Sequence, residues 1–277
     1  AIGGLGKSHL VREVDALGGI MPLATDRSGI QSRTLNTRKG FAVQALRVQC
    51  DRDKYKTAIQ EILAETNIVI IEGEVVDILV KKDTIMGVEL NSGEKIYSTK
   101  TILTTGTFLN GVMFKGNEKF AGGRVGDKTS IPLSKKLYDL KLPMGRLKTG
   151  TPARIKLSSI DLSLMEEQPG DPSPPSMSML QPPTKQLPQI SCYITRTNKH
   201  THKIISDNTH LSAMYSGQIS GIGPRYCPSI EDKINKFSEK DSHQIFIEPE
   251  GLEIDLVYPN GISTSLPTKT QESFIKS

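Results

Sequence analysis

The sequence of 277 residues has no tryptophan, only 5% aromatic residues and three scattered cysteines. An odd, scattered set (Cys50, Cys192 and Cys227) excludes a disulfide framework and a Cys-x-x-Cys metal site. None of the five histidines has His-Glu-x-x-His spacing, so no metal site is predicted. No run approaches the ~18 consecutive apolar residues of a membrane span, and no secretory signal opens the chain. These absences predict a soluble cytoplasmic protein.

The residues that are present suit a globular protein. Hydrophobic residues make up 36% and charged residues 23%, which is enough to bury a core and unlike a disordered chain. The formal net charge of +5 is mildly basic. That balance permits a nucleic-acid partner without requiring one.

The first half of the chain alternates helical and β-rich patterns. Apolar spacing predicts helices over 10–17, 41–63 and 132–140, with Ser130 as the cap of the last. Residues 67–72 and 100–108 predict strands, the first buried on both faces. Between them, residues 74–80, 85–90 and 95–97 predict an antiparallel meander. This order is typical of two-dinucleotide-binding flavoproteins.

The second half is less regular, since seven of the 16 prolines fall between residues 169 and 188. Strands are predicted over 190–195, 203–205 and 244–247, and a helix over 229–237. We therefore predict three segments: a first domain over 1–144, an inserted domain over 145–243, and a return to the first domain over 244–277.

The glycine-rich loop at residues 1–8 has three interpretations. Its Gly-Lys-Ser ending satisfies a relaxed phosphate-loop pattern, but a phosphate loop follows a buried strand and none precedes this one. The glycines could also serve close backbone packing. The third interpretation, a loop that lines a flavin or a substrate, is the one we favour.

Cys227 is the candidate nucleophile. Pro228 suits the first turn of a helix, which would make Cys227 its N-cap. The helix dipole and nearby Arg225 would both lower the pKa of the thiol. A buried structural cysteine is an equally good interpretation, whereas Cys50 and Cys192 are expected to be unreactive.

A basic group could contact nucleic-acid phosphates. It comprises Arg27, Arg33, Arg38, Arg47 and Arg52. The same residues could equally form a solvated face, and the lack of tryptophan argues against a base-stacking platform.

Five blocks together resemble the GidA (MnmG) family of bacterial tRNA-modifying flavoproteins. They are residues 1–7 with 14–19, 106–109, 146–152, 223–233, and 243–246 with 248–251. The Arg-Tyr-Cys-Pro-Ser-Ile-Glu-Asp-Lys block at 225–233 is the most specific, and the resemblance spans the whole length in the expected order. It implies an α/β fold, with a Rossmann-type (two-dinucleotide-binding-like) FAD-binding domain, a small antiparallel meander and an inserted α+β domain.

The resemblance also implies an internal fragment. Members of the family carry a strand with a Gly-x-Gly-x-x-Gly flavin fingerprint and a Cys-Asn-Pro triplet before the first loop. After the stretch that matches this chain, they carry the rest of the flavin domain and a helical domain that contacts the GTPase MnmE.

The family's reaction places an aminomethyl or carboxymethylaminomethyl group on C5 of the wobble uridine of certain tRNAs. The implied cofactors are FAD, NADH as reductant and methylenetetrahydrofolate as carbon donor, and the implied partners are tRNA, MnmE and a second copy of the chain. Two other functions stay open: a non-catalytic RNA-binding or assembly fragment, and a phosphate-loop nucleotidase.

The resemblance assigns residues as follows. Cys227 is catalytic, as a nucleophile or a proton-transfer group. FAD contacts are expected at Val75 and Ser130, at Thr104 and Gly106 near the ribose or pyrophosphate, and at Gly3 and Gly4 near the isoalloxazine. The NAD-related stretch at 223–237 contributes Gly223, Pro224, Arg225, Tyr226, Ser229, Glu231, Asp232 and Lys233.

Overall fold

The computed structural model describes residues 1–181, 186–219, 221 and 228–277. These residues form two compact units. Unit 1 comprises Ala1–Ile68, Thr151–His202 and Lys233–Ser263. Unit 2 comprises Val69–Gly150, Lys203–Asp232 and Thr264–Ser277.

Short strands and helices alternate along the chain. In order they are β1 (Ile2–Gly3), α1 (Ser8–Ala16), α2 (Met21–Ser28), β2 (Gly29–Leu35), β3 (Ala45–Cys50), α3 (Arg52–Ala64), β4 (Val75–Lys81), β5 (Thr84–Leu90), β6 (Lys95–Tyr97), β7 (Val112–Lys115), β8 (Glu118–Ala121), α4 (Ile131–Asp139), β9 (Glu166–Gln168), β10 (Cys192–Arg196), α5 (Lys199–Asn208), α6 (Ile230–Lys236), β11 (Gln244–Pro249), β12 (Val257–Asn260) and α7 (Thr268–Ile275).

Unit 1 contains two antiparallel sheets. The first has the order β1-β3-β2 and the second the order β12-β11-β10-β9. Leu46 and Val48 on β3 pack with Val11 of α1 and with Met177 in one buried cluster. A second cluster fills the space between α2 and α3. Both clusters bury the apolar stripe that each helix shows in the sequence.

Unit 2 is built on the β4-β5-β6 meander. Ile78 of β4 is 2% exposed and packs against Leu133 and Leu137 of α4. Strands β7 and β8 form a separate two-stranded ribbon. The backbone of Ser130 donates to Phe108 O at 2.8 Å, which ties the start of α4 to the preceding loop.

Most short patterns are confirmed, including α1, the three-stranded meander, α4, α6, β10 and β11. Ser130 stands at the N-cap position of α4, but its side chain makes no capping hydrogen bond. The three predicted segments, 1–144, 145–243 and 244–277, stay a prediction. Among the described residues, no helix combines the length and the apolar character that crossing a bilayer requires.

The helix predicted over 41–63 is wrong. A 3-10 turn over Phe41–Val43 precedes strand β3, and only Arg52–Ala64 is α-helical. Because β3 lies between β1 and β2, residues on both of its faces are buried, and the period-2 alternation of a half-exposed strand is lost. Asp51 then starts α3, since its carboxylate accepts hydrogen bonds from Asp53 N and Lys54 N.

The strands predicted over 67–72 and 100–108 are also absent. Both stretches are irregular, with Val69 81% and Ile102 86% exposed. A strand is defined by its neighbours, and within the described part of the chain neither stretch pairs with one. The strand predicted over 203–205 is wrong as well, because α5 includes these residues. Asn198 begins that helix by accepting a hydrogen bond from Thr201 N at 2.9 Å.

Candidate functional site

Unit 2 contains an open cavity of about 460 Å³. Val75, Val88, Ile96 and Leu133 give it apolar walls, and the stretch from Lys100 to Thr105 also lines it. Two predicted FAD contacts, Val75 and Thr104, therefore line the same cavity. Gly106 follows directly, in a turn with φ +55°. A pocket of this size, mostly apolar with a few hydroxyls, suits a planar heteroaromatic ligand group.

Ser130 supplies an unsatisfied polar group in the same unit. Its hydroxyl oxygen is buried and has no hydrogen-bond partner among the described residues. Such a group costs free energy unless something pairs with it. The lone hydroxyl and the apolar cavity thus fit part of a nucleotide cofactor, so the residues present are compatible with FAD.

The glycine-rich stretch at residues 3–8, which begins at the end of β1, lies in unit 1, and we call it the Gly3–Gly4 loop. Gly3 (φ +82°) and Gly4 (φ +97°) adopt backbone conformations that favour glycine. Gly4 N donates to Leu46 O at 2.8 Å, while Lys7 N and Ser8 N both donate to Gly4 O at 3.0 Å. A phosphate loop needs such amides free to bind oxygen atoms. Their engagement within the protein argues against the nucleotidase interpretation.

Two glutamates bind three arginines beside this loop. Arg47 Nη2 lies 2.8 Å from Glu248 Oε2, and only 5% of the Glu248 side chain is exposed. Arg52 and Arg154 both reach Glu250, at 2.8 and 2.6 Å. A Cβ atom placed on Gly4 would lie 3.8 Å from Arg47 Cδ, so this network borders the loop.

The arginines of the predicted RNA-binding group therefore differ. Arg47 and Arg52 are neutralised by glutamates. Arg33 Nη1 donates to Pro169 O at 2.8 Å. Arg27 and Arg38 form no ion pair with any described residue, which leaves their charge available.

Helix α6 begins at Ile230, so Cys227 is not its N-cap and Pro228 precedes the helix. Ser229 starts the helix instead. Its hydroxyl accepts from Asp232 N at 3.1 Å, and the Asp232 carboxylate accepts from Ser229 N at 3.3 Å. This reciprocal capping box is encoded in the sequence as Ser229 and Asp232, whereas the helix-start signal of Pro228 points to a cap two residues too early.

The remaining residues of the NAD-related stretch divide into two groups. Glu231 is fully buried, and its Oε1 accepts from Thr264 Oγ1 at 2.9 Å and Ser265 N at 3.2 Å. Lys233 Nζ donates to Gly261 O at 2.6 Å. Gly223, Pro224, Arg225, Tyr226 and Cys227 lie outside the described residues, so their assignments stay predictions.

The other two cysteines are buried. Cys50 ends β3, and burial raises the pKa of its thiol. Cys192 begins β10, and burial, with Glu248 nearby, raises the pKa of its thiol to about 12. Neither thiol is poised to react as a thiolate at neutral pH. No cluster of three or more metal-binding side chains occurs among the described residues.

Two stacked histidines link α5 to the residue that precedes β11. The rings of His202 and His243 lie 5.2 Å apart, and Thr197 Oγ1 lies 2.8 Å from His202 Nε2. His243 Nε2 is buried without a hydrogen-bond partner among the described residues. Burial lowers the pKa of both imidazoles, and the nearby charges of Lys233 and Lys240 lower that of His243 further.

The mixed α/β fold with small antiparallel sheets and the cavity of unit 2 are compatible with a nucleotide-binding flavoprotein. The comparisons with known proteins agree. The family model described as "Glucose inhibited division protein A" matches residues 1–277, so the chain belongs to the GidA family.

Solved structures of GidA from Aquifex aeolicus are similar to this chain. The form I crystal structure matches at 47% identity with a TM-score of 0.90. The match covers 99% of this chain and 47% of the Aquifex chain. The form II crystal structure matches at 44% identity with a TM-score of 0.89. The match covers 100% of this chain and 45% of the Aquifex chain. The chain thus spans about half the length of these solved relatives.

Proposed function

We propose that the chain is part of an FAD-dependent tRNA-modifying enzyme that works in the cytoplasm. The match to the GidA family along the whole chain is the observation that carries this proposal. The reaction adds an aminomethyl or carboxymethylaminomethyl group to C5 of the wobble uridine, with MnmE as partner and a homodimer as the working form.

We assign the FAD contacts within each unit separately. In unit 2, Val75 and Thr104 line the cavity, and the unpaired Ser130 hydroxyl can donate to or accept from FAD. In unit 1, we assign the loop at Gly3 and Gly4, both with positive φ, to the neighbourhood of the isoalloxazine. FAD bound at these residues and reduced by NADH would supply the redox chemistry for transfer of the methylenetetrahydrofolate carbon.

The uracil ring needs activation, because C5 is a poor nucleophile. A thiolate that adds to C6 pushes an electron pair toward the C4 oxygen and makes C5 nucleophilic. Loss of the C5 proton after the new bond forms then expels the thiolate. We assign Cys227 either this role or transfer of that proton. The high pKa of Cys192 and the burial of Cys50 disfavour both of those thiols for either role.

Nucleoside mass spectrometry of unmodified tRNA tests the proposal. The flavin-loaded enzyme is supplied with MnmE, methylenetetrahydrofolate and NADH, and Cys227→Ser is compared with Cys192→Ala. We expect Cys227→Ser to lose modification with FAD still bound, and Cys192→Ala to keep it. Normal modification by Cys227→Ser would remove Cys227 from the mechanism, and tRNA binding without turnover by the intact enzyme would favour the RNA-binding alternative.

A 5-fluorouridine wobble base separates the two roles of Cys227. Elimination of the thiolate requires loss of a proton from C5, and fluorine at C5 cannot leave as a cation. An adduct at C6 would therefore persist and migrate in a denaturing gel as a protein–RNA complex. A stable complex supports the nucleophile. Absence of the complex, with modification of ordinary tRNA intact, supports proton transfer.

A further inference from the structure

A segment rich in proline is fastened along β2 of unit 1. We call residues 169–181 the strap. Asp171 N donates to Ser32 O at 2.8 Å, and Thr34 N donates to Asp171 Oδ2 at 2.7 Å. These bonds fix the first part of the strap, so the path of the later part depends on what holds residues 176–179.

Two acidic side chains hold that later part. The Asp26 carboxylate accepts from Met177 N at 2.7 Å and from Ser178 N at 2.8 Å. The Asp15 carboxylate accepts from Ser178 Oγ at 2.8 Å and from Met179 N at 2.7 Å. These four short, charge-assisted bonds fix three successive residues of the strap, and we call Asp15 and Asp26 the clamp.

The clamp is costly to bury. Asp15 is 3% exposed, and burial raises the pKa of Asp26, with the neighbouring charge of Asp15 adding to the shift. Two carboxylates close enough to repel each other are tolerated only where their hydrogen bonds are well made. The clamp therefore defines the strap in one geometry, because partial loss of its bonds leaves buried charge unsatisfied.

The clamp acts on the Gly3–Gly4 loop through Met177. This side chain is fully buried, and its Cε would lie 3.0 Å from a Cβ atom placed on Gly3. The same position is 2.4 Å from Leu46 O and 3.3 Å from Ser8 Cβ. Gly3 is thus enclosed by β3, by α1 and by the strap. Of these three walls, the strap is the one held next to Gly3 through side chains: the clamp binds residues 177–179, and Arg12 Nη2 donates to Ser176 O at 3.2 Å.

We propose that Asp15 and Asp26 are positioning residues that hold the Gly3–Gly4 loop, through Met177, in the shape that meets the flavin. This proposal rests on the proposed function, since it takes the loop to border the isoalloxazine. The two acids touch no substrate or cofactor, and their effect is on the order of the loop.

Hydrogen exchange and flavin spectroscopy test the clamp together. The variants are Asp15→Asn, Asp26→Asn and Met177→Ala, with Met177→Leu as the conservative replacement and Met179→Ala as the matched control. The Met179 side chain is 71% exposed, so its loss removes a neighbouring methionine without touching the clamp. An asparagine amide would face a backbone N–H or hydroxyl donor and lose one of the two hydrogen bonds.

We expect the amides of residues 3–8 to exchange about tenfold faster or more in the two Asp variants and in Met177→Ala. Exchange in β10 and β11 should stay within about twofold, and Met177→Leu and Met179→Ala should resemble the unaltered protein. In the flavin-loaded protein, the first three variants should shift the visible flavin band and lower kcat with KM little changed.

Two results would overturn the inference. One is unchanged exchange at residues 3–8 in the Asp variants. The other is an increase shared equally by β10 and β11, which would show a general loss of stability. Failure of the unaltered protein to bind FAD counts against the proposed function alone, because the exchange comparison still decides whether the clamp orders the loop.

Discussion

The Arg47–Glu248 ion pair allows a quantitative prediction. Glu248 Oε2 accepts from Arg47 at 2.8 Å, and Oε1 accepts from Asn260 Nδ2 at 3.0 Å. Glu248→Gln keeps the shape of the side chain but removes the charge. The guanidinium of Arg47, whose side chain is 22% exposed, is then left without its counter-ion.

Breaking a fully buried ion pair from one side costs about 3–5 kcal/mol. Because one fifth of the Arg47 side chain reaches solvent, we expect a smaller cost of about 2–3 kcal/mol in the opening of β11 and β12. That range corresponds to amide exchange roughly 30- to 140-fold faster in these strands.

The assay is hydrogen exchange of β11 and β12, and the control is a pair at the surface. Lys199 and Asp241 lie 3.3 Å apart, with 80% and 75% of their side chains exposed. Asp241→Asn should change exchange less than about threefold. An equally small effect of Glu248→Gln would refute the reasoning, as would the absence of coupling in a double-mutant cycle with Arg47→Met.

Three further predictions follow from the site. Ser130→Ala should raise the melting temperature slightly, because it removes a buried hydroxyl that has no partner among the described residues, and should weaken FAD binding severalfold in a fluorescence titration. Cys50 and Cys192 should resist iodoacetamide at neutral pH in peptide mapping, since burial raises the pKa of both thiols; fast alkylation of either would contradict that environment. The lowered pKa of His202 and His243 means that the unfolded chain binds more protons, so stability should be full above about pH 6.5 and fall as the pH drops below it. Urea unfolding at about pH 5 and about pH 7.5 measures this, and a difference unaffected by His243→Gln would place its source elsewhere.

Local pattern carried much of the fold. The helix of α1 and the meander of β4–β6 follow from the spacing of apolar residues and from Asn91-Ser92-Gly93 at the turn. The pattern failed at β3. Because both faces of this strand are buried, its apolar residues do not alternate, and their spacing looks helical. It failed again at 67–72 and 100–108. Both stretches are apolar, but neither pairs with another strand within the described part of the chain.

At the candidate site too, the sequence indicated individual residues, and the structure showed which of them lie together. The resemblance indicated Val75, Thr104 and Ser130 one by one, and the structure adds that the first two share a cavity and that the third has an unpaired hydroxyl. Glu248 and Glu250 lie in a block that the resemblance had marked, but their arginine partners could not be assigned from the sequence.

The sequence by itself determined which segments turn, cap and alternate, because those preferences depend on residues a few positions apart. It also determined the family, through blocks of residues in a fixed order. Only the tertiary structure decided that Asp15 and Asp26 hold a strap more than 150 residues away. Such contacts depend on how distant segments pack, and no local spacing records which buried carboxylate will meet which backbone amide.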